Sequence, residues 1–448
     1  MKTTQNTSLT RTRSTSRGSL QLILATHVLA LVTFGCADDS PANPPGAGRP
    51  SREAVAGSGA KAGQPVLLEP PARGRGEQFT MKTEIAAGDE REKCLFVRTR
   101  EPMIVNHDEM RFTAGSHHVL LFTTTYPDLP TEDLHGTPVD TSGVFDCSEG
   151  VQGFWSLSGL VAVSQSAEGQ SAVSFPKGVG MRLPANTLLL FNAHYINPTE
   201  DTLKPEIFAN LHAIPESELE QEGGLIFWYN PFLKVPARGS SMMRASCPLP
   251  SDVRITNAQS HMHRRGVGYR ATLISPANER TEIYTSDSWE DVPVKAYAPN
   301  LEAKAGSRLE WSCEYTSSED HAIYQGPRST DEMCMFIGSY YPVDGATGFC
   351  ARGKEPFLAA EWSIGTGTAS CGESLNCISA ANSESAMIST TGTSGQSKTS
   401  KITDCLVASK PSAAAALSAA LGCLGAAADP MNPVASCGPE VAACAAEK

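Results

Sequence analysis

The chain of 448 residues lacks most of the short motifs that mark an enzyme class. There is no G-x-S-x-G, no Walker A sequence, no H-E-x-x-H and no dinucleotide fingerprint. That argues against the common serine hydrolases, P-loop NTPases, zincins and Rossmann oxidoreductases. None of the 13 cysteines form a C-x-x-C pair, so zinc-ribbon and thioredoxin-type readings fall away as well. Positive charge is in short supply: 36 Lys and Arg against 48 Asp and Glu leave a formal net charge of -12. Phosphate backbones need a basic face, so nucleic acid is not an expected partner. Long apolar runs are also scarce. The one that stands out is "SLQLILATHVLALVTFG" at residues 19–35.

That run follows Lys2, Arg11, Arg13 and Arg17 and is followed by a polar stretch. It is short for a membrane span, so residues 1–36 read as an export signal. Gly35 then Cys36 resembles a bacterial lipoprotein cleavage site, with Cys36 as the lipid-bearing mature N-terminus. Ordinary secretory cleavage near Ala37 is the other reading. Either way the expected location is the cell envelope or the exterior, with membrane contact only through the lipid. Residues 37–75, rich in Pro, Gly, Ala and Ser, form a tether. Setting Cys36 aside leaves an even number of cysteines, which in an exported chain read as disulfides.

From residue 76 to 365 short apolar runs alternate with turn residues: "KCLFVRT", "HHVLLFTTT", "TLLLFNAHYIN", "GGLIFWYN", "RLEWSCEYT", "MCMFIGSYYP". Many short strands with turn signals predict an all-β fold of antiparallel β-sandwiches. The length suits two, over 76–225 and 226–365. The tail, 366–448, changes character again. A Ser/Thr/Gly-rich linker leads to an Ala-rich helical stretch. It carries Cys371, Cys377, Cys405, Cys423, Cys437 and Cys444. So short a segment builds little core, so a disulfide-stapled helical appendage is expected.

Histidine is sparse, with ten in all, yet five fall in three unusual settings. His117 and His118 stand side by side at the head of the apolar run "HHVLLF". His194 follows the apolar Leu188–Phe191. His261 and His263 form "HMH". On a strand, residues i and i+2 share a face, so the H-x-H rings can converge on one ion. Adjacent histidines point to opposite faces unless the strand is bulged or both rings reach around. Taken singly, each has an ordinary reading: a hydrogen-bonded core imidazole, or a solvent-facing pair. Taken together in an exported β protein they point to copper or zinc. A thioether ligand would favour copper, Cu(I) above all. Met333 in "STDEMCMF" is the candidate, with core filler as its plain alternative.

These residues resemble the copper type II, ascorbate-dependent monooxygenases, the family of peptidylglycine α-hydroxylating and dopamine β-monooxygenases. "HHVLLF", "AHYINP", "SHMHRRG" and "DEMC" match its ligand motifs, and "FPKGVGMRLP" (175–184) resembles a segment that precedes the third histidine. The five markers occur in the family's order over roughly residues 80–350. The resemblance implies two copper sandwiches side by side with a solvent-filled cleft between them. His117, His118 and His194 would hold one copper. His261, His263 and Met333 would hold the second, distant copper and serve catalysis there. It also implies the bridges Cys94–Cys147, Cys247–Cys350 and Cys313–Cys334. The implied activity is insertion of one oxygen atom from O2 into a C–H bond of a small molecule. Each copper would supply one electron, drawn from ascorbate or another one-electron donor.

The departures bear on substrate. Peptide-hydroxylating members place an Arg two residues before the H-x-H; this chain has Gln259. Where they place Asn and Tyr after the Met motif, this chain has Met335 and Ile337. Gln does not replace a bidentate guanidinium–carboxylate clamp, so a peptidylglycine substrate is not expected. An apolar pocket beside Met333 is. The alternative reading is a non-catalytic exported copper-binding lipoprotein for capture or redox sensing.

Overall fold

The computed structural model describes residues 67–350, 361–362, 365–388, 398–425 and 436–447. The expected export signal, Cys36 and most of the tether lie outside them. The described chain is all-β, with a small helical tail.

Two sheets form the first half. In one, β1 (Gly76–Lys82), β10 (Glu206–Ile214), β3 (Met103–Phe112), β8 (Val179–Leu183) and β11 (Gln221–Glu222) lie in that order. A short strand, β7 (Gln170–Ser174), also pairs with β3. The other sheet runs β5 (Phe145–Asp146), β2 (Glu90–Arg98), β9 (Leu188–Ile196), β4 (Ser116–Thr124), β6 (Leu157–Ser164). Period-two alternation sends Ile207, Ala209 and Leu211 of β10 inward to meet Leu189, Phe191, Ala193 and Tyr195 of β9.

β9 is buried on both faces. Its odd-numbered residues fill the first core, while Leu188 and Leu190 join a different apolar cluster. β4 does the same: Val119 and Leu121 go inward, Leu120 and Phe122 outward. This explains why the two sequences read as continuous apolar runs, the mark of a strand covered on both sides.

The second half supplies the cover. Its facing sheet runs β12 (Gly224–Tyr229), β21 (Met335–Tyr341), β15 (Val253–His261), β18 (Lys295–Ala303). Behind it lie β17 (Arg280–Ser286), β16 (Gly266–Ile274), β19 (Arg308–Thr316), β14 (Ser240–Pro248) and β22 (Glu361–Trp362). Ile226, Trp228 and Phe336 fill the second core. Phe227, Tyr229, Met335 and Ile337 turn the other way and pack with Phe122 and Leu190. Fully burying such a side chain contributes about 1.5–3 kcal/mol, so these residues hold the two sandwiches together.

The bridges within the sandwiches are Cys94–Cys147, Cys247–Cys350 and Cys313–Cys334. The tail's helices α1 (Cys371–Ile388), α2 (Lys398–Ala408), α3 (Ala414–Gly425) and α4 (Gly438–Ala446) carry Cys371–Cys444, Cys377–Cys405 and Cys423–Cys437. The sequence left open whether this tail docks. It does: Ile378, Ile402, Leu406, Leu417 and Leu421 belong to the same core as Trp228 and Trp311. Lys234 on the short strand β13 (Lys234–Val235) pairs with Asp404 of α2 at 2.6 Å. Among the described residues, no helix is long and apolar enough to cross a membrane.

Candidate metal centre

The face that β9 and β4 turn toward the second sandwich changes along its length. It begins with Leu188 and Leu190 and ends with Asn192 and His194, following the pleat. His194 lies opposite His118 on β4. The register slips between Ser116 and His118, since Ser116 faces Tyr195. His117 is therefore the extra residue of a β-bulge, and a bulge re-aims its side chain. The His117 ring thus lies 5.5 Å from that of His118 and 5.3 Å from that of His194, centroid to centroid.

His261 ends β15, opposite Met335 of β21. Met262 points into the second core and is fully buried, so His261 and His263 share the other side. Gly266 makes room for this turn: a Cβ there would lie 2.8 Å from the Cβ of Met262. The buried carboxylate of Glu332 locks it by accepting hydrogen bonds from the backbone N–H of His263 (3.0 Å) and Arg265 (2.8 Å). This ties the H-x-H turn to the segment that carries Met333.

The two histidine sets are not separated by a solvent-filled cleft, and here the structure corrects the expectation. The ring of His117 lies 4.8 Å from His261 and 5.0 Å from His263. His118 lies 5.7 Å from His261. All five rings are buried. The physical reason is the apolar packing of Phe122 and Leu190 on Phe227, Met335 and Ile337, reinforced by two polar crossings. Gln165 of the first sandwich accepts from His261 Nδ1 (2.5 Å) and donates to the Ser260 carbonyl (2.8 Å) and to Gln259 Oε1 (3.0 Å). Glu90 accepts from His194 Nε2 (2.8 Å) and from Ser329 N and Oγ (2.6 and 2.7 Å).

The nitrogens themselves test whether a metal fits. His117 Nε2, His194 Nδ1 and His263 Nε2 are buried without a hydrogen-bond partner. Leaving a polar atom so costs about 1–3 kcal/mol each, a cost that coordination removes. In four of the five rings a nitrogen is held by another residue, as the outer partners of metal-ligating histidines hold them. His118 Nε2 meets Asn192 Oδ1 (3.0 Å), and His263 Nδ1 meets the Asp331 carbonyl (3.2 Å). Two triads have ligand atoms within 4.8 Å of one another: His117, His118, His194, and His117, His261, His263. His117 belongs to both.

Protonation favours ligation. Burial, then neighbouring histidines, hold His117, His118 and His261 well below the usual imidazole range. Burial lowers His263 to about 3. Their lone pairs are free at neutral pH, as a metal requires. His194 is the exception: burial lowers it, but the Glu90 bond and the charges of Glu92 and Glu90 outweigh that and raise it. Glu90 moves the opposite way, to about 2, because the His194 and Ser329 contacts overcome its burial.

Met333 lines a cavity together with His118 and His261. Its remaining walls include Leu120, Phe122, Phe227, Met335 and Ile337. Gln259 is turned away into its bond with Gln165. The structure therefore brings the five sequence-derived histidines together and puts Met333 on the cavity that His118 and His261 line. Sequence reasoning missed Glu90, Gln165, Asn192 and Glu332. A signal existed for two: Asn192 sits two residues before His194 and shares its face, and Glu332 adjoins Met333. Gln165 and Glu90 act across the two sandwiches, and no local pattern announces that.

Comparison with known proteins follows the same lines. Residues 229–359 match the family described as copper type II ascorbate-dependent monooxygenase, C-terminal domain. A human protein, "Putative DBH-like monooxygenase protein 2", is 25% identical over 281 residues, covering 54% of this chain and 49% of its own length. These matches support the copper type II ascorbate-dependent monooxygenase family for this chain. The chain spans about half the length of the curated relative it matches. Two solved structures are remotely similar. The major capsid protein P2 of bacteriophage PM2 has a TM-score of 0.22 at 12% identity, covering 61% of this chain and 100% of that one. PNGF-II has a TM-score of 0.23 at 5% identity, covering 61% and 64%. Neither carries an argument.

Proposed function

We propose that this chain is a copper-dependent monooxygenase that inserts one atom of O2 into a C–H bond of a small apolar or aromatic molecule. The other atom leaves as water, with two electrons drawn from ascorbate or another one-electron donor. The observation that carries this reading is the apolar cavity running up to His118, His261 and Met333.

His117, His118, His194, His261, His263 and Met333 would hold two copper ions, which when bound supply electrons and activate O2. The chain's own residues do the rest. Glu90, Asn192, Gln165 and the Asp331 carbonyl fix the imidazole orientations. Met333 offers a soft thioether, which suits Cu(I). Leu120, Phe122, Phe227, Met335 and Ile337 exclude water and receive an apolar substrate. With Gln259 engaged by Gln165 and no Arg at that position, nothing there clamps a carboxylate, so peptidylglycine is not the substrate. The disulfides fit an exported location, with Cys36 as the anchor.

The test is reductant-dependent O2 uptake by copper-loaded protein, with products screened for oxygen-18 from labelled O2. A substrate gaining one labelled atom is expected. Full copper loading with no O2 uptake under any reductant or candidate substrate would overturn the enzyme reading and leave a copper-binding protein.

A further inference from the structure

We propose a third metal site, for a divalent transition ion of the zinc or copper(II) type, on the outer face of the first sandwich. His107, Glu109 and His212 form it. On β3, inward residues alternate with outward ones: Asp108, Met110 and Phe112 are buried, and His107 and Glu109 share the opposite face. On β10, Leu211 points inward and His212 outward. The register sets His212 directly opposite His107, so three ligand-type side chains meet on one patch of sheet. One ligand atom from each lies within 4.8 Å of the others. The two rings are 4.9 Å apart, and His212 Nε2 lies 3.8 Å from Glu109 Oε2.

The surrounding bonds orient the triad as metal ligands are oriented. His107 Nδ1 is engaged by the Val173 carbonyl (3.0 Å) and Ser174 Oγ (2.8 Å) of β7, which leaves its Nε2 lone pair for a metal. Arg111 holds Glu109 Oε1 at 3.0 Å, leaving Oε2 toward His212. His212 Nε2 is buried and has no hydrogen-bond partner. An ion would satisfy that atom and neutralise the carboxylate at once. Two imidazoles and one carboxylate suit zinc or copper(II) rather than a hard cation. The half-buried setting leaves room for water to complete the coordination. Such an ion would clamp β3 to β10, on the sheet opposite the one that carries His117, His118 and His194, so this site does not depend on the activity proposed above.

Purified protein is stripped with chelator, reloaded with Zn(II), passed through a desalting column and assayed for metal per chain. Reloading with Co(II) gives a visible spectrum at the same site. His212→Ala should retain one ion fewer than the native chain. Glu109→Gln should weaken binding about 10-fold or more, with the Co(II) ligand-field bands altered. Both variants should keep native circular dichroism, since the residues are on the outer face. Equal metal content and identical Co(II) spectra in native and variant protein would overturn the site, whatever the copper centre does.

Discussion

His117, His118, His194, His261 and His263 meet at the candidate centre, and His118, His194, His261 and His263 each have a ring nitrogen held by another residue. Replacing Gln165 by Ala leaves His261 Nδ1 unpaired and removes a bond across the sandwiches. Loss of such a partner weakens metal affinity about 10- to 100-fold. Copper titration of Gln165→Ala against the native protein should show that loss, with the protein still folded. Met333→Ile keeps the volume but removes the sulfur. Turnover should vanish while copper at His117, His118 and His194 stays, as measured by product formation and metal analysis. Unchanged turnover would remove Met333 from the mechanism.

At the level of elements, the strands that carry ligands are also those buried on both faces. Leu190 of β9 is fully buried between the sandwiches. Leu190→Ala should cost about 2–5 kcal/mol, read as a lower urea midpoint. The H-x-H turn should be as sensitive. Gly266→Ala pushes on Met262 at its Cβ, which is not a flexible end. It should displace His261 and His263 and lower copper occupancy there, while Gly306→Ala, on a distant turn, should not. Removing the Cys313–Cys334 bridge with a Cys313→Ala, Cys334→Ala double variant should cost about 3 kcal/mol, seen in thermal unfolding. Most of this level could be read from the sequence. The alternation in "LLLFNAH" and "HHVLLF" shows strands, and H-x-H shows a shared face. What could not be read is the slip that makes His117 a bulge residue, because register is settled by the partner strand. The two-faced burial of β9 was visible as an apolar run, but not what lay on its second face.

For the whole molecule, the sequence pointed to two sandwiches and a helical appendage, and to the histidines that the structure brings together. It misjudged the distance between the two histidine sets. That distance depends on how Phe122 and Leu190 pack against Phe227, Met335 and Ile337, and on Gln165 and Glu90 reaching across. These contacts join segments distant in the chain, the polar ones 94 to 239 residues apart. The five imidazoles form one closed centre, with the His117 ring within 5.3 Å of both His194 and His261. The direct measurement is the electron paramagnetic resonance intensity of Cu(II)-loaded protein, integrated against total copper, in a His212→Ala background that lacks the outer site. Two ions held in this centre would be magnetically coupled, with an integrated signal well below the copper content. Two independent Cu(II) signals accounting for all the copper would contradict it.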